Sequence, residues 1–194
     1  MTKSNDRSKS KWMRINLTIS QIINFAIEIV KTAAIMLIIA FAIKNFLIQT
    51  FVIEGVSMEP NFHDNEYLLV DKISYRFSAP KRGDVIVFNP TDSPDSYIKR
   101  IIGLPGETVK IVNNKIYVDG YKLDEPYLPD AINTNTSSQS LESKIYVLQD
   151  NEYFVIGDNR QNSKDSRVIG AVNFSQFEGR VFVIFYPFNH LRLI

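Results

Sequence analysis

The sequence predicts a mainly β fold, an antiparallel sheet or barrel-like domain, preceded by one N-terminal transmembrane helix. Three observations carry that prediction. Between residues 15 and 53 the only charges are Glu28, Lys31 and Lys44, so an apolar stretch sits near the amino terminus. Beyond residue 53 the pattern changes to short apolar runs separated by Gly, Pro, Asn and Asp. Those runs are rich in Val, Ile, Tyr and Phe, the residues that sit best on a pleated sheet.

Composition narrows the function classes. At 194 residues the chain holds one ordinary domain plus an appendage, and 13 Phe with 9 Tyr supply a sizeable core. A net charge of +1 gives no case for nucleic acid as a partner. With no cysteine, disulfides, zinc-thiolate sites and a catalytic thiol are excluded. His63 and His190 are far apart in the chain, without a second ligand at useful spacing, so no metal site is expected. A Ser-His-Asp triad would have to use one of these two.

Residues 1–14 are polar and basic, with Lys3, Arg7, Lys9, Lys11 and Arg14 against Asp6, and read as a disordered cytoplasmic tail. Ile15, Ile19, Ile22, Ile23, Ala26, Ile27 and Val30 then recur at helical spacing, so residues 1–25 form a basic tail and an amphipathic lead-in. The uninterrupted apolar core 32–43 is too short to cross a bilayer alone. Extended to 26–46 it reaches the roughly 20 residues and 30 Å required. Glu28 and Lys31 can pair at one end, and Lys44 can snorkel at the other. A cleaved signal peptide fits poorly, because residues 46–51 offer no pair of small residues for cleavage. A buried soluble helix is a competing reading. The basic cluster favours a single-pass anchor in a lipid bilayer, with the amino terminus cytoplasmic and residues 47–194 outside.

Beyond the anchor, residues 67–70 and 84–88 read as strands, the second buried on both faces because it is continuously apolar. Residues 97–102 form the next, stopped by Gly103-Leu104-Pro105-Gly106. Residues 109–112 and 115–118 flank Asn113-Asn114, a two-residue hairpin signal. Residues 123–143 are polar and poor in periodicity and read as a long surface loop, within an insertion at about 113–144. Further strands follow at 145–148, 152–156 and 179–186.

Chemistry is concentrated in a few polar residues. Ser57 lies in Gly55-Val56-Ser57-Met58-Glu59-Pro60, a held loop; it is either a solvated turn serine or a nucleophile that needs a base from elsewhere. In the strand 97–102, alternation places Lys99 or Arg100 in apolar surroundings, and burial lowers a lysine's pKa toward neutrality. Arginine stays protonated, which leaves Lys99 as the base, unless it sits at a strand edge and snorkels. A second polar loop, Gly157-Asp158-Asn159-Arg160-Gln161-Asn162-Ser163-Lys164-Asp165-Ser166-Arg167, is dense in short hydrogen-bonding side chains. Asp165 and Arg167 can pair there, and Ser163 or Ser166 can orient a lysine amine.

Taken in order, four stretches resemble the conserved boxes of bacterial type I signal peptidases: residues 55–60, 82–88, 97–107, and 157–160 with Ser163, Asp165, Ser166 and Arg167. The anchor just ahead of the serine matches as well. The resemblance implies a mainly β extracytoplasmic catalytic domain that removes signal peptides from secreted preproteins through a Ser/Lys dyad, without metal or organic cofactor. Ser57 would be the nucleophile and Lys99 its base. Ser163 would bond and orient the Lys99 amine, Asp165 and Arg167 would brace the loop, and Asp158 and Asn159 would shape it. The Ser57 N–H would enter the oxyanion hole. Some relatives supply a second donor from a serine two positions earlier; this chain has Gly55 there, so a second donor at the oxyanion hole would be the Gly55 backbone or be absent. The accessory β region between 118 and 145 would be reduced. Phe51, Met58 and Phe62 are either core residues or apolar groups that dip into the membrane interface.

Two other readings compete. A self-cleaving repressor-type Ser/Lys protease would share a related core, but the chain shows no helix-turn-helix pattern. A membrane-tethered β module that binds secreted peptides without catalysis would be expected to have lost one of Ser57, Lys99 and Ser163.

Overall fold

The computed structural model describes residues 3–42, 47–113, 115–129 and 145–194. The chain divides into two units, Met1–Asn45 and Phe46–Ile194.

The first unit is one helix, α1 (Lys3–Ala42). It begins inside the stretch expected to be a disordered tail. No glycine or proline precedes Gly55, and the lysines and arginines of that stretch are good helix formers, so nothing interrupts the backbone hydrogen bonds. Within α1, Gln21–Phe41 is a 21-residue apolar segment of mean hydropathy 2.1, wholly exposed in the isolated chain. At 1.5 Å per residue it is about 31 Å long, enough to cross a hydrocarbon core. It starts ahead of the expected boundary at residue 26 because Ile22, Ile23 and Phe25 extend the apolar surface. Glu28 and Lys31 pair at 3.0 Å, as their spacing implied. Lys44 lies outside the described residues.

The second unit is built of antiparallel strands. In chain order these are β1 (Ile48–Val52), β2 (Tyr67–Asp71), β3 (Val85–Phe88), β4 (Tyr97–Gly103), β5 (Thr108–Val112), β6 (Lys115–Val118), β7 (Tyr121–Lys122), β8 (Ile145–Val147), β9 (Glu152–Ile156), β10 (Val172–Asn173), β11 (Phe177–Tyr186) and β12 (Arg192–Leu193). Two helical turns, α2 (Ser74–Phe77) and α3 (Ser166–Ile169), interrupt them. The larger sheet runs β1-β2-β11-β3-β4-β9-β10, with β12 also on β11. Register shifts in β11 and at Ile101/Gly103 of β4 are bulge-like irregularities that bend the strands.

Strand β3 is buried along its whole length, as its continuous apolarity predicts. Val85 and Val87 enter one core with Met58, Phe62, Leu68 and Ile184. Ile86 and Phe88 enter another on the opposite face with Ile101, Tyr153 and Val155. Strand β4 lies between β3 and β9 and is shielded by both neighbours.

A second sheet, β7-β6-β5-β8, was not distinguished from the first in the sequence. Strand periodicity says which residues alternate, not which strands pair. The strands on either side of the expected turn pair, with Val112 opposite Lys115 and Asn113 at φ 48°, while Asn114 lies outside the described residues. This sheet packs Val109, Ile111, Ile116 and Tyr146 against Ile102, Phe154 and Ile156 of the larger one. Leu123 and Tyr127 pack on the same core, so the front of the expected surface loop is docked. Residues 130–144 lie outside the described residues.

Candidate active site

Ser57 is carried by the connection between β1 and β2. The neck of that connection is closed by Ile53 N–H to Glu66 O and Asn65 N–H to Ile53 O, both at 2.9 Å. Gly55 takes φ 93°, a conformation that strains any residue with a Cβ. Met58 and Phe62 are each only 1 % exposed and anchor the loop in the core. They are therefore core residues and not membrane-facing ones, because the turn after Ser57 folds them inward. Phe51 is half-buried against the same core.

Lys99 comes from the middle of β4 and is 3 % exposed. Its Nζ lies 2.8 Å from Ser57 Oγ and 2.8 Å from the Ile98 carbonyl. Burial pushes the amine down from 10.5 to about 8. The carboxylates of Asp165 and Asp158 pull it upward, and Arg167 lowers it. A neutral amine can accept the Ser57 proton, and this one reaches neutrality near physiological pH. Both residues line an open cleft of about 520 Å³ whose apolar wall includes Phe51, Ile53, Leu68, Val87 and Ile98.

The 157–167 loop supports this pair from behind. Asp165 and Arg167, both buried, form a two-pronged ion pair with Nε–Oδ1 and Nη2–Oδ2 at 2.7 Å. Asp165 Oδ2 also accepts from the Gly157 N–H at 3.0 Å. Asp158 is gripped by Arg100 through Nε at 2.9 Å and Nη2 at 2.6 Å. Asn159 fixes the nucleophile's own backbone, donating its N–H to Ser57 O at 3.1 Å and its Nδ2 to Val56 O at 3.0 Å. Gly157 permits this approach, since a Cβ there would overlap the Ser57 carbonyl and Ser163 Oγ.

Two expectations differ from this geometry. The bond from Ser163 to Lys99 is not formed: Ser163 Oγ is buried beside Gly157 without a hydrogen-bond partner among the described residues. The amine points two of its donors elsewhere, at Ser57 Oγ and Ile98 O. Gly55, expected at the oxyanion hole, has its N–H committed to Asp64 Oδ1 at 2.6 Å. The Ser57 N–H has no partner among the described residues.

The sequence also hid several participants. Arg100 was recognised only as a residue in apolar surroundings that cannot act as a base; its role as the clamp on Asp158 depends on a contact across 58 residues. The histidines, distant in sequence, stand with ring centroids 5.6 Å apart. His190 Nδ1 lies 2.6 Å from Glu66 Oε1, and Glu66 is 1 % exposed at the neck of the Ser57 loop. No local signal announces that pairing. Among the described residues, no group of three or more His, Asp or Glu side chains is arranged to hold a metal ion.

Residues 26–186 match the family described as signal peptidase, peptidase S26. The chain is 38% identical over 177 residues to the probable signal peptidase I-2 of Synechocystis, covering 88% of this chain and 78% of that one. It is 39% identical over 173 residues to signal peptidase I S of Bacillus subtilis, covering 86% and 92%. A crystal structure of a signal peptidase I from Enterococcus faecalis aligns at 32% identity with a TM-score of 0.45, over 53% of this chain and 97% of that one.

Proposed function

Because the chain belongs to the signal peptidase family, peptidase S26, it is a serine endopeptidase that removes signal peptides, and we propose that Ser57 is its nucleophile and Lys99 its general base. The observation that carries the assignment is the 2.8 Å contact between Ser57 Oγ and an amine that is almost fully buried. Water alone does not activate a serine at neutral pH, and burial lowers the lysine pKa so that a neutral, proton-accepting amine is present near neutrality.

In the proposed cycle neutral Lys99 takes the Oγ proton as Ser57 attacks the scissile carbonyl, and then delivers that proton to the leaving amine. A water then attacks the acyl-enzyme with Lys99 again as base. The free Ser57 N–H is our donor to the developing oxyanion. When the amine is charged it has three donors, of which two already have partners. The unpartnered Ser163 hydroxyl is assigned to take the third, which would steady the ammonium between the two proton transfers. Asp165 with Arg167, and Asp158 with Asn159, hold the loop that bears it.

We also infer that the N-terminal apolar helix, long enough to cross a bilayer, anchors the chain in a membrane. We further infer that its basic end faces the cytoplasm and the catalytic domain the outside, where the cleavage site of a membrane-embedded preprotein would emerge. The apolar wall of the cleft suits the small uncharged side chains that flank such sites.

The test is cleavage of a preprotein in detergent by the wild type, Ser57→Ala and Lys99→Ala. Each substitution is expected to lower kcat at least about a thousandfold. Retention of most of the activity by either variant would remove the dyad assignment.

A further inference from the structure

The stretch Glu125-Pro126-Tyr127 lies in a region whose sequence suggests only a surface loop, yet it touches all three parts of the site. Pro126 sits inside a turn closed by Leu128 N–H to Glu125 O at 3.0 Å. The Tyr127 carbonyl accepts Asn61 Nδ2 at 2.9 Å, and the same amide group donates to Asp158 Oδ2 at 2.8 Å. Asn61 is four residues past the nucleophile, at the end of its turn. The Tyr127 ring lies under the Arg100 guanidinium, 4.1 Å from its centroid, and Arg100 follows the base in β4. The Tyr127 hydroxyl donates to Glu125 Oε1 at 2.6 Å. Glu125 in turn holds the fully buried guanidinium of Arg160, in the third loop, through both of its carboxylate oxygens.

We propose that this turn is a positioning clamp for peptide cleavage, fixing the nucleophile loop, the base strand and the 157–167 loop relative to one another. The proposal rests on the Ser57/Lys99 assignment. Hydrogen-bond reach between an attacking oxygen and its base is lost within about an ångström, so the three segments must be held in close register, and the turn adds to the contacts that Asp158 and Asn159 already make between them. Asn61 and Arg100 both grip Asp158 from the site's side. Only the 125–127 turn contacts Asn61, Arg100 and Arg160 together among the described hydrogen bonds and ring contacts. Asp158, which Arg100 grips, is one of the two carboxylates that raise the Lys99 amine.

The experiment compares the full chain in detergent micelles as wild type, Glu125→Gln, Tyr127→Leu and Tyr127→Phe. Preprotein cleavage is followed as separate kcat and KM across pH, with a melting curve for each. Tyr127→Leu removes the ring beneath Arg100, and Glu125→Gln weakens the hold on Arg160. Each is expected to lower kcat about 10- to 100-fold with KM within about threefold. In Tyr127→Leu the acid limb should move to higher pH as Asp158 becomes less well neutralised. Tyr127→Phe keeps the ring and the carbonyl and should recover most of the lost kcat. Wild-type kcat and pH profile in Glu125→Gln would overturn the clamp, and so would a loss fully explained by melting below the assay temperature. If Tyr127→Leu does not fold, Glu125→Gln decides alone. Ser57→Ala and Lys99→Ala run alongside: activity in those variants would sink the dyad, whereas their inactivity beside unimpaired clamp variants would sink the clamp only.

Discussion

Burying an amine to make it a base carries a stability cost, and that cost is measurable through Lys99→Met. The Lys99 amine titrates near 8 in the folded protein and near 10.5 when released. At about 1.4 kcal/mol for each pH unit of that difference, the folded state is penalised by about 3 kcal/mol. The sign follows from proton binding. Below pH 8 both states hold the proton, so the folded state bears the whole penalty. Between 8 and 10.5 the folded state has released it while the unfolded state has not, so stability climbs with pH. Above 10.5 neither holds it and the penalty is gone. With only 3 % of the residue exposed, solvent screening removes little of this. Lys99→Met replaces the amine with an uncharged side chain of similar length. Its own packing changes and lost hydrogen bonds displace the curve without giving it this pH dependence. The assay is guanidinium unfolding of both proteins in micelles from pH 6.5 to 11. The wild type should gain about 3 kcal/mol on Lys99→Met across that range, with the inflection starting near 8. The acid limb of preprotein cleavage should have its midpoint at the same pH if, as proposed, the Lys99 amine is the general base. Parallel stability curves, or an activity limb that lies far from the stability inflection, would refute a buried neutral lysine.

Two further substitutions test the support of the site. Asp165→Asn leaves the Arg167 guanidinium buried without its counter-charge and should destabilise the domain by about 3–5 kcal/mol in melting or denaturant titration. Because Asp165 raises the Lys99 amine, the acid limb of the surviving activity should move to lower pH; an unchanged melting temperature, or a shift to higher pH, would count against this account. Gly157→Ala places a Cβ against the Ser57 carbonyl, a backbone atom that cannot swing away. A fall of about 100-fold in kcat/KM is expected, and wild-type kinetics would show that the loops are not packed as described.

Much of this was legible in the sequence because it depends on local pattern. The two-faced burial of β3 follows from uninterrupted Val-Ile-Val-Phe, whereas alternation alone leaves Lys99 open between a snorkelling edge lysine and a base, and it is the run of four stretches in order that points to the base. The Asp165–Arg167 pair was within reach because its members are two residues apart. What escaped depends on contacts between distant segments. Glu125 and Tyr127 look like ordinary polar loop residues until Arg160 and Arg100 are brought against them. The histidines gain meaning only when β11 and the turn after it carry His190 to Glu66. The commitment of the Gly55 N–H could not be foreseen either, since it depends on how the loop folds back on Asp64.

The strand order of the larger sheet makes the proposed site depend on a part of the chain far from both of its residues. Ser57 arrives on the β1–β2 hairpin and Lys99 on β4, but these do not pair directly; β11, drawn from residues 177–186, is inserted between β2 and β3. A nascent chain can therefore emerge with both reactive groups already made and still lack the strand that joins them. On the proposed dyad, joining the two halves of the site through the sheet therefore requires residues 177–186.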